Sequence, residues 1–438
     1  MSSSKDLNIF QVLTIVVFLV IGIIGIAMFA TGKTGIGGSN YKATIWGVLP
    51  KANVDAGLES FRLKGQDPSF TYIEYPEQGF EQAILKAIAE GNGPDAIIFP
   101  DYMYYNQINK LLTIPNTTIT AEQYTNTYLD LARKFTVQDG IKAFPILIDP
   151  LVMYYNVDLL KSEGILIPPK DWVEFANLTE KVVRKQDNGI IDRAYTALGE
   201  YGNIDHAKDI VFAMLAQVGV KLSFYDPEQG VYVSGLINQT TSSRLSREVM
   251  IYYTEFANPT KTSYTWNKSF KSSREAFLSG DLAIYFGPGS EVEYMRTRNP
   301  NLNFAIASIP QAYPDKKVTQ GKVYSLGFMV TSKNPNATYQ SVMSFFDTFQ
   351  MNKSLSDSIH LASARRDVLL KSELAKTNVD AAVINNSAIY AETWLDPDAY
   401  STDEILSKMI TAIVSGTQNI SDAINDASER LDRLYLVR

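Results

Sequence analysis

Residues 70–100 run strand, helix, strand, and that order constrains this chain more than any other feature. Phe80, Ile84 and Ile88 recur at helical spacing with Ala83 and Ala87 beside them, which predicts an amphipathic helix over residues 80–90. Gly91 stands where such a helix ends, and Asn92, Gly93 and Pro94 form a turn. Residues 96–99 are continuously apolar and close at Pro100, the pattern of a strand buried on both faces. Residues 44–49, ending at Pro50, and residues 70–75 supply two earlier strands. This alternation builds a parallel sheet covered by helices, an α/β fold. Ligands of such sheets sit beyond the carboxyl ends of the strands, so residues 46–50 and 100–105 are expected at the mouth of a site.

A second feature lies at the amino terminus. Residues 9–30 are almost all apolar, with Gln11 and Thr14 the clearly polar members. About 20 such residues cross a bilayer as a helix, whereas the apolar core of a secretory signal has about 7–15. The reading is one uncleaved transmembrane anchor, with cleavage after the small residues at 30–32 as the alternative. Lys5, Lys33 and Lys42 flank the run too evenly to orient it. The long domain that follows is most simply exported, leaving residues 1–8 in the cytoplasm and residues 31–40, rich in Gly, Ser and Thr, as a flexible tether. The expected location is the plasma membrane, single-pass, with the globular domain extracellular or periplasmic.

Composition narrows the chemistry. The chain has no cysteine, which removes disulfides, thiolate metal sites and a cysteine nucleophile. Its two histidines, His206 and His360, lie far apart and read as surface or helix residues, so no metal or cofactor is expected. A net charge of -7 argues against nucleic acid, whose binders concentrate Lys and Arg. There is no nucleophile elbow and no phosphate-cradling loop, and Glu200 with Asp205, or Glu291 with Glu293, read as solvated charges, so no enzyme is expected. The 25 tyrosines suit recognition surfaces, since each joins a rigid apolar face to one hydrogen-bonding tip.

The motifs, taken in order, resemble one family. Residues 82–101, QAILKAIAEGNGPDAIIFPD, are similar to the helix, Ala-x-Gly and Pro-Asp strand of the family 1 extracellular solute-binding proteins, the maltose-binding-protein-like receptors of ABC importers. Residues 140–160 resemble the family's crossover strand and its Tyr-Asn-x-Asp-Leu element. Residues 168–178 resemble its Pro-x-Thr-Trp helix start, with Asp171 where Thr or Ser is usual. Asp171 preserves the physics by capping the helix, and Glu174 completes a capping-box spacing. Residues 277–289, FLSGDLAIYFGPG, resemble the segment in which the chain returns from the second lobe to the first. Residues 306–310, 327–335, a helix over 339–350 and the C-terminal helices complete the order, so the resemblance covers residues 41–434. The family's lipidated cysteine is missing, a role the apolar anchor would fill.

The resemblance implies a two-lobed periplasmic-binding-protein type II fold with hinge-crossing strands, preceded by the transmembrane helix. The lobes are expected at residues 41–147 with 288–348, and at 148–287 with 349–438. A ligand gripped by both lobes would stabilise a closed state over an open one, which requires unequal affinity for the two. Hinges are expected at 145–150, at 285–289 and near Gln350. The implied ligand is a carbohydrate, an oligosaccharide above all, held by aromatic faces and a few fixed polar groups. The positions expected to bind it are Trp46, Asp101, Tyr102, Tyr154, Gly287, Tyr324 and Trp394, while Trp172 and Trp266 are assigned to packing. Implied partners are an ABC permease and the membrane, with the protein a monomer. Competing readings are a surface glycan-acting enzyme and a tethered adhesion or scaffold domain that does not transport.

Overall fold

The computed structural model describes residues 42–436 apart from Gln229 and residues 238–240. The expected anchor at 9–30 and the tether at 31–40 lie outside the described residues. Among the described residues, no helix is long and apolar enough to cross a membrane.

The chain divides into two compact units. The first opens with strand β1 (Ala43–Gly47), helix α1 (Lys51–Arg62), strand β2 (Phe70–Glu74), helix α2 (Phe80–Ala89) and strand β3 (Ala96–Pro100). β1 runs parallel to both β2 and β3, with Trp46 opposite Ile73 and Gly47 opposite Ile98. All five residues of β3 are buried, as its uninterrupted apolar run requires. α2 ends on Gly91 in the left-handed conformation at φ 72. The Gly91 and Asn92 N–H groups donate to the carbonyls of Ile88 and Ala87, which satisfies the last turn of the helix.

The second unit holds most of strand β4 (Phe144–Asn156), strand β5 (Ile191–Thr196), helix α3 (Ala207–Gln217), strand β6 (Leu282–Pro288) and helix α4 (Glu291–Arg298). β6 is parallel to β5, with Ile284 opposite Thr196, and antiparallel to β4, with Tyr285 opposite Tyr154. Residues Phe304–Ser308 pair with β4 over the same stretch. At the end of α3, the fully buried Gln217 side chain makes four hydrogen bonds. Its Oε1 accepts from Trp172 Nε1 at 2.7 Å and Ala312 N at 3.0 Å, and its Nε2 donates to the Pro310 and Val318 carbonyls, each at 2.9 Å. A buried amide satisfied at every position fixes its neighbours instead of destabilising them. Trp172 and Trp266 are both core residues, at 8% and 0% exposure.

Strand β7 (Thr319–Phe328) then leads to helices α5 (Pro335–Phe346) and α6 (Phe349–Ile359) of the first unit. The chain passes between units after Leu147, Lys322, Ile359, Ala362 and Lys371. The return expected at residue 288 therefore occurs at Val323, and the departure expected after 348 occurs after Ile359. The Gly-Pro-Gly run at 287–289 reads as a domain boundary in sequence, but β6 and Phe304–Ser308 both pair with β4 and stay with it. The single helix expected at 339–350 is two. Asn334 caps α5 with Pro335 following, and the chain breaks at Asp347 and Thr348. Phe345 of α5 packs edge-on against Phe61 at 4.9 Å and Phe70 at 5.5 Å. The Asp171 cap forms as expected, accepting from the Val173 and Glu174 N–H groups. Its reciprocal leg differs, because Glu174 accepts from the N–H of Lys170.

Candidate functional site

In the first unit the carboxyl ends of three parallel strands bring four of the expected residues to one edge. Trp46 is near the end of β1, Asp101 and Tyr102 follow β3, and Tyr324 of β7 lies opposite Pro100 in antiparallel register. The half-buried Trp46 ring stacks on Tyr75, just past the end of β2, at 4.5 Å and 28°. Its Nε1 is buried and has no hydrogen-bond partner among the described residues. Gly47 is glycine for packing reasons, since a Cβ there would lie 2.7 Å from Tyr72 Oη and 2.9 Å from Ile98 Cβ. That close fit lets Tyr72 donate to the Leu49 carbonyl at 2.6 Å.

The polar groups of this edge are already partly engaged. Asp101 is 8% exposed and its Oδ1 accepts from the Val323 N–H at 2.9 Å, joining the end of β3 to β7. Tyr102 Oη donates to Glu77 Oε1 at 2.8 Å. Burial and the Glu77 charge push the Tyr102 phenol well above its ordinary range, so it stays a neutral donor. Glu74 Oε2 accepts from the Lys51 N–H at 2.6 Å, placing a carboxylate at the amino end of α1 where the helix dipole favours it. The edge thus offers an aromatic stack bordered by carboxylates and phenols.

In the second unit the carboxyl ends of β5 and β6 carry a different constellation. Glu291, at the start of α4 and 14% exposed, accepts from Arg274 at 2.8 Å and His206 Nε2 at 3.0 Å on Oε1, and from Tyr285 Oη at 2.6 Å on Oε2. Arg274 also pairs with Asp205 at 3.4 Å, and His206 Nδ1 lies 3.5 Å from Asp209. Burial lowers the affinity of His206 for its proton, but hydrogen bonds to Asp209 and Glu291 outweigh it and push the imidazole up to about 9. Burial pushes Asp149 up to about 6, opposed by the Ser290 N–H that donates to it at 3.0 Å. A cavity of about 400 Å³ adjoins His206, with Tyr201, Lys208, Asp209 and Asp403 in its wall.

Of the expected residues in this unit, Gly287 lies against that cluster. A Cβ on it would meet Tyr285 Cε1 at 2.6 Å and Glu291 Oε2 at 2.9 Å, so the missing side chain makes room for the protein's own tyrosine. Tyr154 is fully buried, its ring 5.5 Å from that of Tyr285 and its hydroxyl donated to the Pro288 carbonyl at 2.6 Å. Trp394 is half-buried in a loop tied to α3 through Lys208, whose Nζ reaches Asp396 at 2.7 Å and the Ala399 carbonyl at 3.0 Å.

Asp205, His206, Arg274, Tyr285 and Glu291 were not expected at a site. His206, Asp205 and Glu291 read as separate surface charges because they come from two loops and a helix start that only the β5 and β6 register brings together. The usable signal was position: residues 197–206 follow β5, and residues 285–291 span the carboxyl end of β6.

Residues 58–383 match the family model described as bacterial extracellular solute-binding protein. The chain belongs to that family. Solved structures share the fold of this solute-binding protein across nearly its whole described length. A cyclic alpha-maltosyl-1,6-maltose binding protein from Arthrobacter globiformis is 14% identical, with 91% of this chain and 99% of that one covered and a TM-score of 0.73. A cyclo/maltodextrin-binding protein complexed with maltotetraose is 16% identical, with 91% and 98% covered and a TM-score of 0.71. An ABC transporter solute-binding protein from Thermotoga lettingae bound with alpha-D-tagatose is 16% identical, with 90% and 100% covered and a TM-score of 0.63. No curated protein sequence matches this solute-binding protein.

Proposed function

We propose that this protein is a membrane-anchored extracellular receptor that captures a carbohydrate, an oligosaccharide above all, and delivers it to an ABC importer through a permease. The observation that carries the sugar assignment is the Trp46–Tyr75 stack bordered by Asp101, Tyr102 and Glu77 at the carboxyl edge of the first sheet. Aromatic faces suit the apolar C–H faces of a sugar ring, and carboxylates and phenols suit its hydroxyls. The structural neighbours named for maltodextrin, maltotetraose and tagatose lend support to the same ligand class. The proposed ligand-binding positions are Trp46, Asp101, Tyr102 and Tyr324 on the first unit and Tyr154, Gly287 and Trp394 on the second. Residues 9–30 are proposed as the anchor in place of a lipidated cysteine.

The test is a thermal-shift screen of the exported domain over sugars, polyols, amino acids and phosphates. A ligand at a hundred times its dissociation constant stabilises the domain by about 2.7 kcal/mol. Stabilisation by an oligosaccharide is the expected result. A shift with only a phosphate ester or a peptide removes the carbohydrate assignment and leaves the receptor. Release of the full chain from membranes by carbonate, without detergent, removes the anchor.

A further inference from the structure

The sequence holds eight Asn-x-Ser or Asn-x-Thr triplets without proline at the middle position, the acceptor pattern for N-linked glycans on exported domains. One of them, at Asn238, lies outside the described residues. Such triplets also arise by chance, and a glycan needs more than the pattern. The asparagine nitrogen must reach solvent, and the hydroxyl two residues on must be open to the transferring enzyme.

The fold closes most of the described triplets. Asn352 on α6 is 1% exposed, and its Nδ2 donates to the Phe346 carbonyl at 2.6 Å and the Thr348 carbonyl at 2.9 Å. Asn385 is buried, and so is Ser387 two residues on. Asn177 and Asn336 belong to helices and are followed by Thr179 and Thr338, both fully buried. The Asn419 side chain is engaged at the start of the helix Ile420–Leu436, accepting from the Asp422 N–H at 3.0 Å and donating to Asp422 Oδ2 at 2.6 Å. Asn267 is half-buried, with Nδ2 donating to Tyr264 Oη at 2.9 Å and Oδ1 accepting from the Ser269 hydroxyl at 2.6 Å.

Asn116 meets both conditions. Residues 116–118, Asn-Thr-Thr, are all exposed and follow the short strand Ile114–Pro115 of the first unit. The Thr118 N–H donates to the Pro115 carbonyl at 2.8 Å, closing a tight turn with Asn116 and Thr117 at its centre. Asn116 Nδ2 reaches the Gln138 carbonyl only at 3.5 Å, the outer limit of a hydrogen bond, so little holds it back. Exposed turns of this kind tolerate bulky additions, because the backbone bond that closes them does not involve the modified side chain.

We infer that Asn116 is an N-glycosylation site, the acceptor for an oligosaccharide carried on a lipid phosphate and transferred at the outer face of the membrane. This rests on the extracellular reading above. In the step, the bond from Nδ2 to the sugar C1 forms, and the C1–O bond to the lipid phosphate breaks with its electron pair leaving on the phosphate oxygen. One Nδ2 proton is lost to base, and the Asn116 carbonyl and its second N–H remain.

The experiment is mass spectrometry of the full chain purified from the membranes of its source cells and digested with trypsin, beside cleavage by protease added to whole and to lysed cells. Residues 111–133 form one tryptic peptide, bounded by Lys110 and Arg133, and Asn116 is in its one acceptor triplet. That peptide is expected to carry a sugar increment that fragmentation places on Asn116. The increment is expected to disappear in Asn116→Gln and in Thr118→Val and to persist in Thr118→Ser. A bare 111–133 peptide from a domain that protease reaches on whole cells overturns the site and leaves the extracellular reading intact. An increment confined to another triplet overturns it equally, whether or not the variants fold. A domain cleaved only after lysis removes the extracellular reading, and this inference with it.

Discussion

The carboxyl edges of the two units use opposite chemistries. The first is aromatic, with Trp46 stacked on Tyr75 and carboxylates at its border. The second is ionic, with Glu291, Arg274, His206 and Asp205 knit around Tyr285. An aromatic stack supplies contact area that acts at any pH, whereas an ionic network supplies fixed direction and is sensitive to protonation. The difference teaches that the same kind of strand edge can be built either for contact area or for fixed polar direction.

The largest expected effect probes the support of the ionic unit. Lys208→Met should destabilise the protein by about 3–5 kcal/mol, since Asp396 is 2% exposed and would be left as a buried, unpaired charge. Denaturant unfolding measures it. A loss under 1 kcal/mol would mean that Thr402 and the Asp398 N–H alone satisfy Asp396.

Protonation is the next lever. Asp149 titrates near 6, above the ordinary carboxylate value of 3.8, so its charged form is disfavoured by folding. It therefore withdraws stability as pH rises from about 4 to 6, by roughly 3 kcal/mol at 1.36 kcal/mol per pKa unit. His206 is shifted in the same direction at higher pH: raised to about 9, it contributes stability that is full below 6.5 and is lost as pH rises through 9. Difference melts between the natural protein and Asp149→Asn should isolate the lower window, the variant gaining relative stability above pH 6. Parallel curves from pH 4 to 7 would contradict the assignment.

On the aromatic edge, Trp46→Ala should weaken oligosaccharide binding by about 2 kcal/mol, the scale of a buried aromatic anchor, with no new pH dependence. An unchanged dissociation constant would break the comparison by removing the stack from the binding surface. The smallest effect belongs to Tyr102→Phe, which deletes one half-buried donor to Glu77 and should cost about 1 kcal/mol in melting experiments.

How legible each region was follows from the range of its interactions. β1, α2, the Gly91 stop and β3 were readable because each rests on contacts within a few residues or on one local apolar pattern. Trp46, Asp101 and Tyr102 followed directly, since the carboxyl end of a parallel strand is a local address. The ionic cluster was not readable: Asp205, Arg274 and Glu291 belong to segments 17 to 86 residues apart, and charge alone does not say which acids share a pocket. The same limit moved the second crossing from 288 to 323, where strand pairing outweighs a Gly-Pro-Gly turn.

The amino-acid order by itself determined the α/β alternation, the helix stops and caps, the family, and the placing of Trp46, Asp101 and Tyr102 at the strand ends of the first unit. These depend on periodicity and on short-range bonds set by the local order of residues. Only the tertiary structure decided where the chain changes units, why Gly287 lacks a side chain, and that two lone-looking residues, His206 and Glu291, meet. Those outcomes depend on strand register, a long-range choice in which each residue's neighbours are set by the packing of segments far along the chain.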